Sequence, residues 1–194
     1  MKKLAINLLI FTGLPGSGKG EAALVAKGMG YNTFSIGDLI REETKKRYQK
    51  ITQENDRKVS LWFNDGREFD LIKRLKRKIQ NTKTNKSFCI LEGLRVPDHC
   101  LMLKKVGINF RVVNIISPKK VRYSRQLSRH RQDIRTNDDA IYRDRRELGY
   151  GIGKILEDAD ERISNNGTKS DFRKKIEKFI RKIEEKNLFK SQRQ

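Results

Sequence analysis

Leu4-Ala5-Ile6-Asn7-Leu8-Leu9-Ile10-Phe11 runs into Thr12-Gly13-Leu14-Pro15-Gly16-Ser17-Gly18-Lys19-Gly20, and Glu21-Ala22-Ala23-Leu24 follows. The apolar run reads as a buried strand, the glycine-rich stretch as a tight turn and the residues after it as the opening of a helix. Glycines in such a turn let backbone N–H groups point inward. The helix N-terminus adds its dipole and Lys19 a charge, so the three together cradle a polyphosphate. The spacing Gly-x-x-x-x-Gly-Lys is complete from Gly13 to Lys19, in the strand-then-helix context it requires. Candidate nucleotide contacts are therefore Gly13, Pro15, Gly16, Ser17, Gly18, Lys19, Gly20 and Glu21. The common motif ends in Ser or Thr, whose hydroxyl binds Mg²⁺; here Gly20 and Glu21 stand instead. Glu21 either ligates Mg²⁺ through water or stabilises the helix start.

Outward from this turn, short apolar runs alternate with longer amphipathic stretches, the pattern of a parallel α/β sheet. Strands are expected at Leu4–Phe11, Asn32–Ile36, Phe88–Leu91, Phe110–Ile116 and, more weakly, Glu161–Ser164. Helices are expected at Lys19–Met29, Gly37–Lys50, Glu54–Phe63, Glu68–Gln80, Pro97–Lys105, Pro118–Ser128, Asp138–Leu148 and Asp171–Lys186. In the last helix, Phe172, Ile176, Phe179, Ile180 and Ile183 make one apolar stripe, and the tail beyond Asn187 is expected to fray.

With 194 residues the chain is long enough for one domain with a real core. Lys and Arg number 45 against 24 Asp and Glu, a net charge of +21, which makes anionic ligands the leading partners. Aromatics are only 8%, so few remain to stack on bases, and any nucleic-acid binding should be electrostatic and sequence-indifferent. Cys89 and Cys100 form no C-x-x-C pair, which argues against a disulfide framework or structural zinc and for a reduced cytoplasm. No stretch approaches a membrane span, and the apolar start lacks a signal-peptide cleavage pattern.

Three further segments carry chemistry. In Ser35-Ile36-Gly37-Asp38-Leu39-Ile40-Arg41, a helix starts at the carboxyl end of a strand, and Arg41 one turn in can grip a phosphate with a bidentate fork. In Ile90-Leu91-Glu92-Gly93-Leu94-Arg95, an acid ends the next strand, where a carboxylate can hold Mg²⁺ through its waters. From Lys119 to Arg146 the chain is rich in arginine, with Arg125 and Arg129 one turn apart.

Gly16-Ser17-Gly18-Lys19-Gly20 resembles the phosphate loop of adenylate kinases and related nucleoside monophosphate kinases, which also place Gly after the Lys; Glu21 departs from their Thr. Ser35 to Arg41 is similar to their S-T-G-D-x-x-R segment, and Glu92 to Arg95 to their D-G-F-P-R, with Glu for Asp and one residue fewer. The resemblance implies that Arg41 and Arg95 bind the acceptor phosphate and that Glu92 serves the metal. The arginine-rich span resembles their lid, which brings Arg125 and Arg129 to the transferring phosphoryl group and leaves open which of Arg143, Arg145 and Arg146 points inward.

Ala159 to Thr168 resembles the A-D-x-x-I-x-N-x-G segment of dephospho-CoA kinases, which implies that Asn165 and Gly167 lie near the adenine of ATP. Together with Arg146 to Gly153, the chain looks like an archaeal group of P-loop kinase-like proteins related to adenylate and dephospho-CoA kinases. The implied fold is a three-layer α/β P-loop NTPase domain over 1–187, with a five-stranded parallel sheet in the order 2-3-1-4-5. It carries an acceptor-binding helical excursion at about 38–86, a short lid at about 125–137 and a tail at 188–194. The implied activity is Mg²⁺-dependent transfer of the ATP γ-phosphoryl group to a nucleotide-type acceptor. Arg41 and Arg95 favour a nucleoside monophosphate; Asp38 as a general base would favour a hydroxyl acceptor of the dephospho-CoA kind. A nucleic-acid-associated ATPase is the competing class.

Overall fold

The computed structural model describes residues 6–128, 136–186, 188 and 189. Five strands, β1 (Ile6–Thr12), β2 (Thr33–Ser35), β3 (Cys89–Glu92), β4 (Ile108–Ile116) and β5 (Glu161–Ser164), form one sheet in the order β2-β3-β1-β4-β5. All pairings are parallel: Ile10 lies opposite Leu91 on one side and Val112 on the other, and Phe34 opposite Leu91. The fold is the expected P-loop arrangement.

Helices α1 (Lys19–Gly28) and α9 (Lys169–Glu185) cover one face. The other face and its excursion are built by α2 (Ile36–Tyr48), α3 (Gln53–Phe63), α4 (Glu68–Gln80), α5 (Pro97–Lys105) and α8 (Ile152–Glu157). Helices α6 (Lys119–Leu127) and α7 (Asn137–Gly149) follow β4 and pack on each other. Strand alternation feeds both layers: Leu8 and Ile10 enter the core beneath α2 to α5, while Leu9 and Phe11 enter the core beneath α1 and α9. All four are fully buried, which explains why this strand reads as continuous apolar sequence.

Helix starts are set by local chemistry. The Ser35 hydroxyl accepts from Gly37 N–H, Thr52 caps α3, Thr168 caps α9, and Thr136 with Asp139 forms a reciprocal capping box on α7.

Three features differ from expectation. Helix α8 falls between Leu148 and Glu161, where no helix is expected from the sequence; burial of Ile152 and Ile155 outweighs the poor helix propensity of Gly153. The second strand is shorter than expected, because Ile36 already belongs to α2. The tail does not fray at once: the Phe189 ring lies 5.3 Å from that of Phe88 and is buried in the α1/α9 core. The expected lid falls mainly on 129–135, including Arg129, which lies outside the described residues. Among the described residues, no helix is long and apolar enough to cross a membrane.

Candidate active site

The phosphate loop connects β1 to α1 at the carboxyl edge of the sheet. Gly16 has φ 80°, and a Cβ there would sit 2.3 Å from the Arg122 carbonyl oxygen. Gly18 has φ 109°, and a Cβ there would sit 2.2 Å from Asn165 Nδ2. Both positions need glycine for its left-handed backbone and because neighbouring elements press on the loop from outside. The loop is therefore shaped by α6 on one side and by the β5–α9 connection on the other.

Arg122 is the main brace. Its guanidinium is buried, donates to the Pro15 carbonyl oxygen at 2.9 Å and forms a two-pronged pair with Asp144 at 2.8 and 2.6 Å. Tyr123 O–H donates to the same carboxylate at 3.2 Å, and Gln126 Nε2 donates to Pro15 O at 3.3 Å. Arg122 falls within the arginine-rich span Lys119 to Arg146, where sequence pattern alone assigns it no role. Its signal is faint: Arg122 and Gln126 lie one turn apart on α6, but nothing local points to Pro15 or Asp144.

Lys19 Nζ donates to the Gly13 carbonyl oxygen at 3.2 Å. Burial of the ammonium, reinforced by the Arg95 charge, pushes its pKa down to about 8, against the opposing pull of Glu147 and Glu92. A bound polyphosphate favours the protonated form, so ATP binding should take up a proton wherever Lys19 is deprotonated. Affinity is expected to be flat well below pH 8, to bend down as that pH is approached and to fall by up to about tenfold per unit above it, until the raised bound-state pKa is reached. Calorimetry at pH 9 in buffers of different ionisation enthalpy should show that uptake. An affinity unchanged between pH 7.5 and 9.5 would remove Lys19 from the phosphates.

A cavity of about 640 Å³ opens beside the loop. Pro15, Gly16, Lys19 and Gly20 form its loop wall, Glu92 and Arg95 its β3 edge, Arg41 its α2 wall, and Arg143, Arg146 and Tyr150 its α7 side. Glu92 ends β3 with Oε2 3.4 Å from where a Gly20 Cβ would stand, so an acid lies next to the residue that replaces the usual hydroxyl. Arg143 and Arg146, three apart on α7, answer which arginines face inward; Arg145 is exposed and lines no part of this cavity. Beneath them Glu147, 3% exposed, lies 3.1 Å from Arg95 and 3.9 Å from Arg146, anchoring both guanidinium groups. Its role was not legible from sequence.

Other expected contacts sit elsewhere. Glu21 faces α9, pairing with Arg173 and, at 3.1 Å, with Lys169. Burial would raise its pKa, but hydrogen bonds from Arg173 and Lys169 outweigh that and hold it below the usual carboxylate range. Asp38 pairs with Arg41 and borders a different hollow, near Lys27 and Leu75. Asn165 is buried, and its Nδ2 donates to the Ser17 carbonyl oxygen at 2.7 Å, bracing the loop from behind. Arg125 reaches Ser117 Oγ and the Asn165 oxygens at 3.3 Å and does not line the cavity. Gly167 is exposed beside Asp171. Ser17 is buried, its Oγ without a hydrogen-bond partner among the described residues.

Among the described residues, no group of three or more His, Cys, Asp or Glu side chains could cage a metal alone. Mg²⁺ does not need one, since it takes one or two carboxylates, often through water, plus substrate phosphates. Glu92 next to Gly20 and Lys19 fits that mode.

A parallel 2-3-1-4-5 sheet with a glycine loop, its lysine and a strand-end acid defines a P-loop kinase-like protein. A family model described as an AAA domain, AAA_17, matches residues 12–142. A UPF0200 protein of Pyrococcus horikoshii is 37% identical over 180 residues, covering 91% of this chain and 97% of that one. Another from Methanothermobacter thermautotrophicus is 31% identical over 186 residues, covering 93% and 94%. The chain belongs to this AAA-domain family and to the archaeal UPF0200 proteins. Among solved structures, a shikimate kinase from Acinetobacter baumannii in complex with shikimate superposes with a TM-score of 0.59 at 15% identity, covering 93% of each chain. A dephospho-CoA kinase from Campylobacter jejuni gives 0.55 at 17% identity, covering 93% of this chain and 98% of that one. Both likenesses are of fold.

Proposed function

We propose that this chain transfers the γ-phosphoryl group of ATP to a nucleotide-type acceptor, a nucleoside monophosphate. The observation that carries this reading is the convergence of Lys19, Arg41, Arg95, Arg143 and Arg146 on one cavity, with Glu92 at its loop end. Phosphoryl transfer asks little covalent chemistry of a protein and much positioning and charge neutralisation, which such an array supplies.

The loop N–H groups and Lys19 hold the β- and γ-phosphates. Arg41 and Arg95 hold the acceptor phosphate, an anionic nucleophile at neutral pH. Its oxygen bonds to the γ-phosphorus while the bond from that phosphorus to the β–γ bridging oxygen breaks, and ADP leaves with the electron pair. Arg143 and Arg146 face the charge that spreads over the transferring group. Glu92, together with the bound phosphates, would hold Mg²⁺, which would add charge neutralisation when bound. A hydroxyl acceptor would gain from a carboxylate base, but Asp38, the candidate for that role, borders another hollow.

The test separates acceptor from donor. Arg41→Ala and Arg95→Ala should each raise the acceptor KM about tenfold or more, the worth of one charge-assisted hydrogen bond, with ATP affinity nearly unchanged. Equal loss of ATP and acceptor affinity would show that the two subsites are misassigned.

A further inference from the structure

Arg41 rides on α2, and what fixes α2 lies on the side of that helix turned away from the cavity. Residues two apart on a helix point to opposite sides, so with Arg41 on the cavity wall Glu43 looks away from it. Glu43 is 5% exposed, a carboxylate almost wholly withdrawn from water. Its two oxygens take separate arginines: Oε1 accepts from Arg47 Nε at 2.5 Å, and Oε2 from Arg74 Nη1 of α4 at 2.6 Å. Burial would raise its pKa, but hydrogen bonds from Arg74 and Arg47 outweigh that and hold it below the usual carboxylate range, so it is charged at neutral pH. The Arg47 guanidinium in turn lies 3.5 Å from the centre of the Trp62 ring on α3, and that of Arg74 lies 5.3 Å from the Phe63 ring. One carboxylate thus joins α2 to α4 directly and to α3 through Arg47. None of these five side chains lines the phosphate cavity.

The start of α2 is fixed by β2 and by the Ser35 cap, but its direction beyond the first turn is set by what it leans against. Apolar packing through Ile36 and Leu39 tolerates small shifts, whereas a carboxylate held by two arginines has one geometry. We infer that Glu43 is a positioning residue for the acceptor subsite: through Arg47 and Arg74 it fixes α2 so that Arg41 meets the acceptor phosphate. This deepens the reading of Arg41 as an acceptor ligand and rests on it. A displacement of about 1 Å in a group that must meet a reacting partner can cost on the order of 100-fold. The fold itself depends less on the bridge. The Arg47 and Arg74 side chains are 33% and 40% exposed, so when released they turn to water and no cation is left stranded in the core.

The experiment is calorimetric titration of AMP, CMP, GMP and UMP, and separately of ATP, into wild type, Glu43→Ala, Arg41→Ala and the double variant. The nucleoside monophosphate that binds wild type most tightly should lose about tenfold in affinity for Glu43→Ala, ATP staying within about twofold. In the double variant the loss should stay within about threefold of that in Arg41→Ala alone, because effects that pass through one group do not add. Glu43→Gln keeps the volume and one acceptor oxygen; it should recover part of the affinity, and it carries the test if the Ala variant does not fold. Trp62 is the only tryptophan of the chain, so its emission in the ligand-free protein should change in Glu43→Ala as Arg47 leaves the ring. Unchanged monophosphate affinity in Glu43→Ala, equal losses for monophosphate and ATP, additive losses in the double variant or unchanged Trp62 emission would each overturn this inference. The acceptor reading would then still stand on the loss in Arg41→Ala. If none of the four binds a protein that still binds ATP, or if Arg41→Ala loses none of that affinity, the acceptor reading falls and the role of Glu43 with it.

Discussion

Replacing Lys19 with Ala is expected to lower ATP-dependent phosphoryl transfer by roughly 10²- to 10³-fold, the usual cost of removing one donor aimed at developing transition-state charge. The same variant should melt no lower than wild type. Lys19 stands at the first position of α1 and has one described hydrogen bond, to the Gly13 carbonyl oxygen. Burial already pushes its ammonium down to about 8, so at neutral pH its charge costs stability in the absence of ligand. The sign follows from linkage: between about 8 and the ordinary 10.5 the unfolded chain binds more protons, and stability from this group rises with pH. Removing the ammonium removes the cost. Turnover and thermal melting at pH 7 check the two halves together. A folded Lys19→Ala protein with unchanged turnover would refute the assignment of the loop as the donor site.

How far the sequence reaches is visible in which residues that loop depends on. Gly13 to Gly20, the strand before and the helix after are read correctly because the constraint is local: spacing and glycine placement fix the turn, and an apolar run fixes the strand. Glu92, Arg41 and Arg95 are legible as candidates because strand ends in a parallel sheet gather at one edge, and all three line the cavity. Sequence order, however, does not say which way a side chain turns. Asp38 and Arg41 share one helical turn, yet only Arg41 lines the phosphate cavity. Arg125 carries a motif-like spacing to Arg129, but it turns to Asn165, while Arg122, three residues earlier, reaches the loop. Glu21 could serve the metal or the helix start on sequence grounds; its partners on α9 place it on the far side. Such orientations are decided by partners distant in the chain.

The largest expected effect on stability comes from one of those distant partners. Arg122 lies 107 residues from Pro15 and 22 from Asp144, and its guanidinium joins the phosphate loop, α6 and α7 in one buried cluster. The side chains are 7% and 11% exposed, so water replaces little of what either loses when the other is removed. Asp144→Ala leaves a buried guanidinium without its counter-charge and the Tyr123 hydroxyl without its acceptor, for an expected loss of about 3–5 kcal/mol. In a chain of this size that lowers the melting temperature by roughly 6–20 °C, at about 2–4 °C per kcal/mol. Because Arg122 also donates to Pro15 and its backbone presses on Gly16, ATP affinity should fall even in the fraction that remains folded. The double variant Arg122→Met with Asp144→Leu separates charge from packing. Removing both charges together is expected to restore most of the melting temperature, since buried ion pairs are worth little against apolar replacements. It should not restore ATP affinity, because Met cannot donate to the Pro15 carbonyl. Thermal melts with parallel ATP titrations of the single and double variants decide this. A single variant that melts within 2 °C of wild type would mean the pair is not buried, and a double variant that binds ATP like wild type would mean the loop does not need its brace.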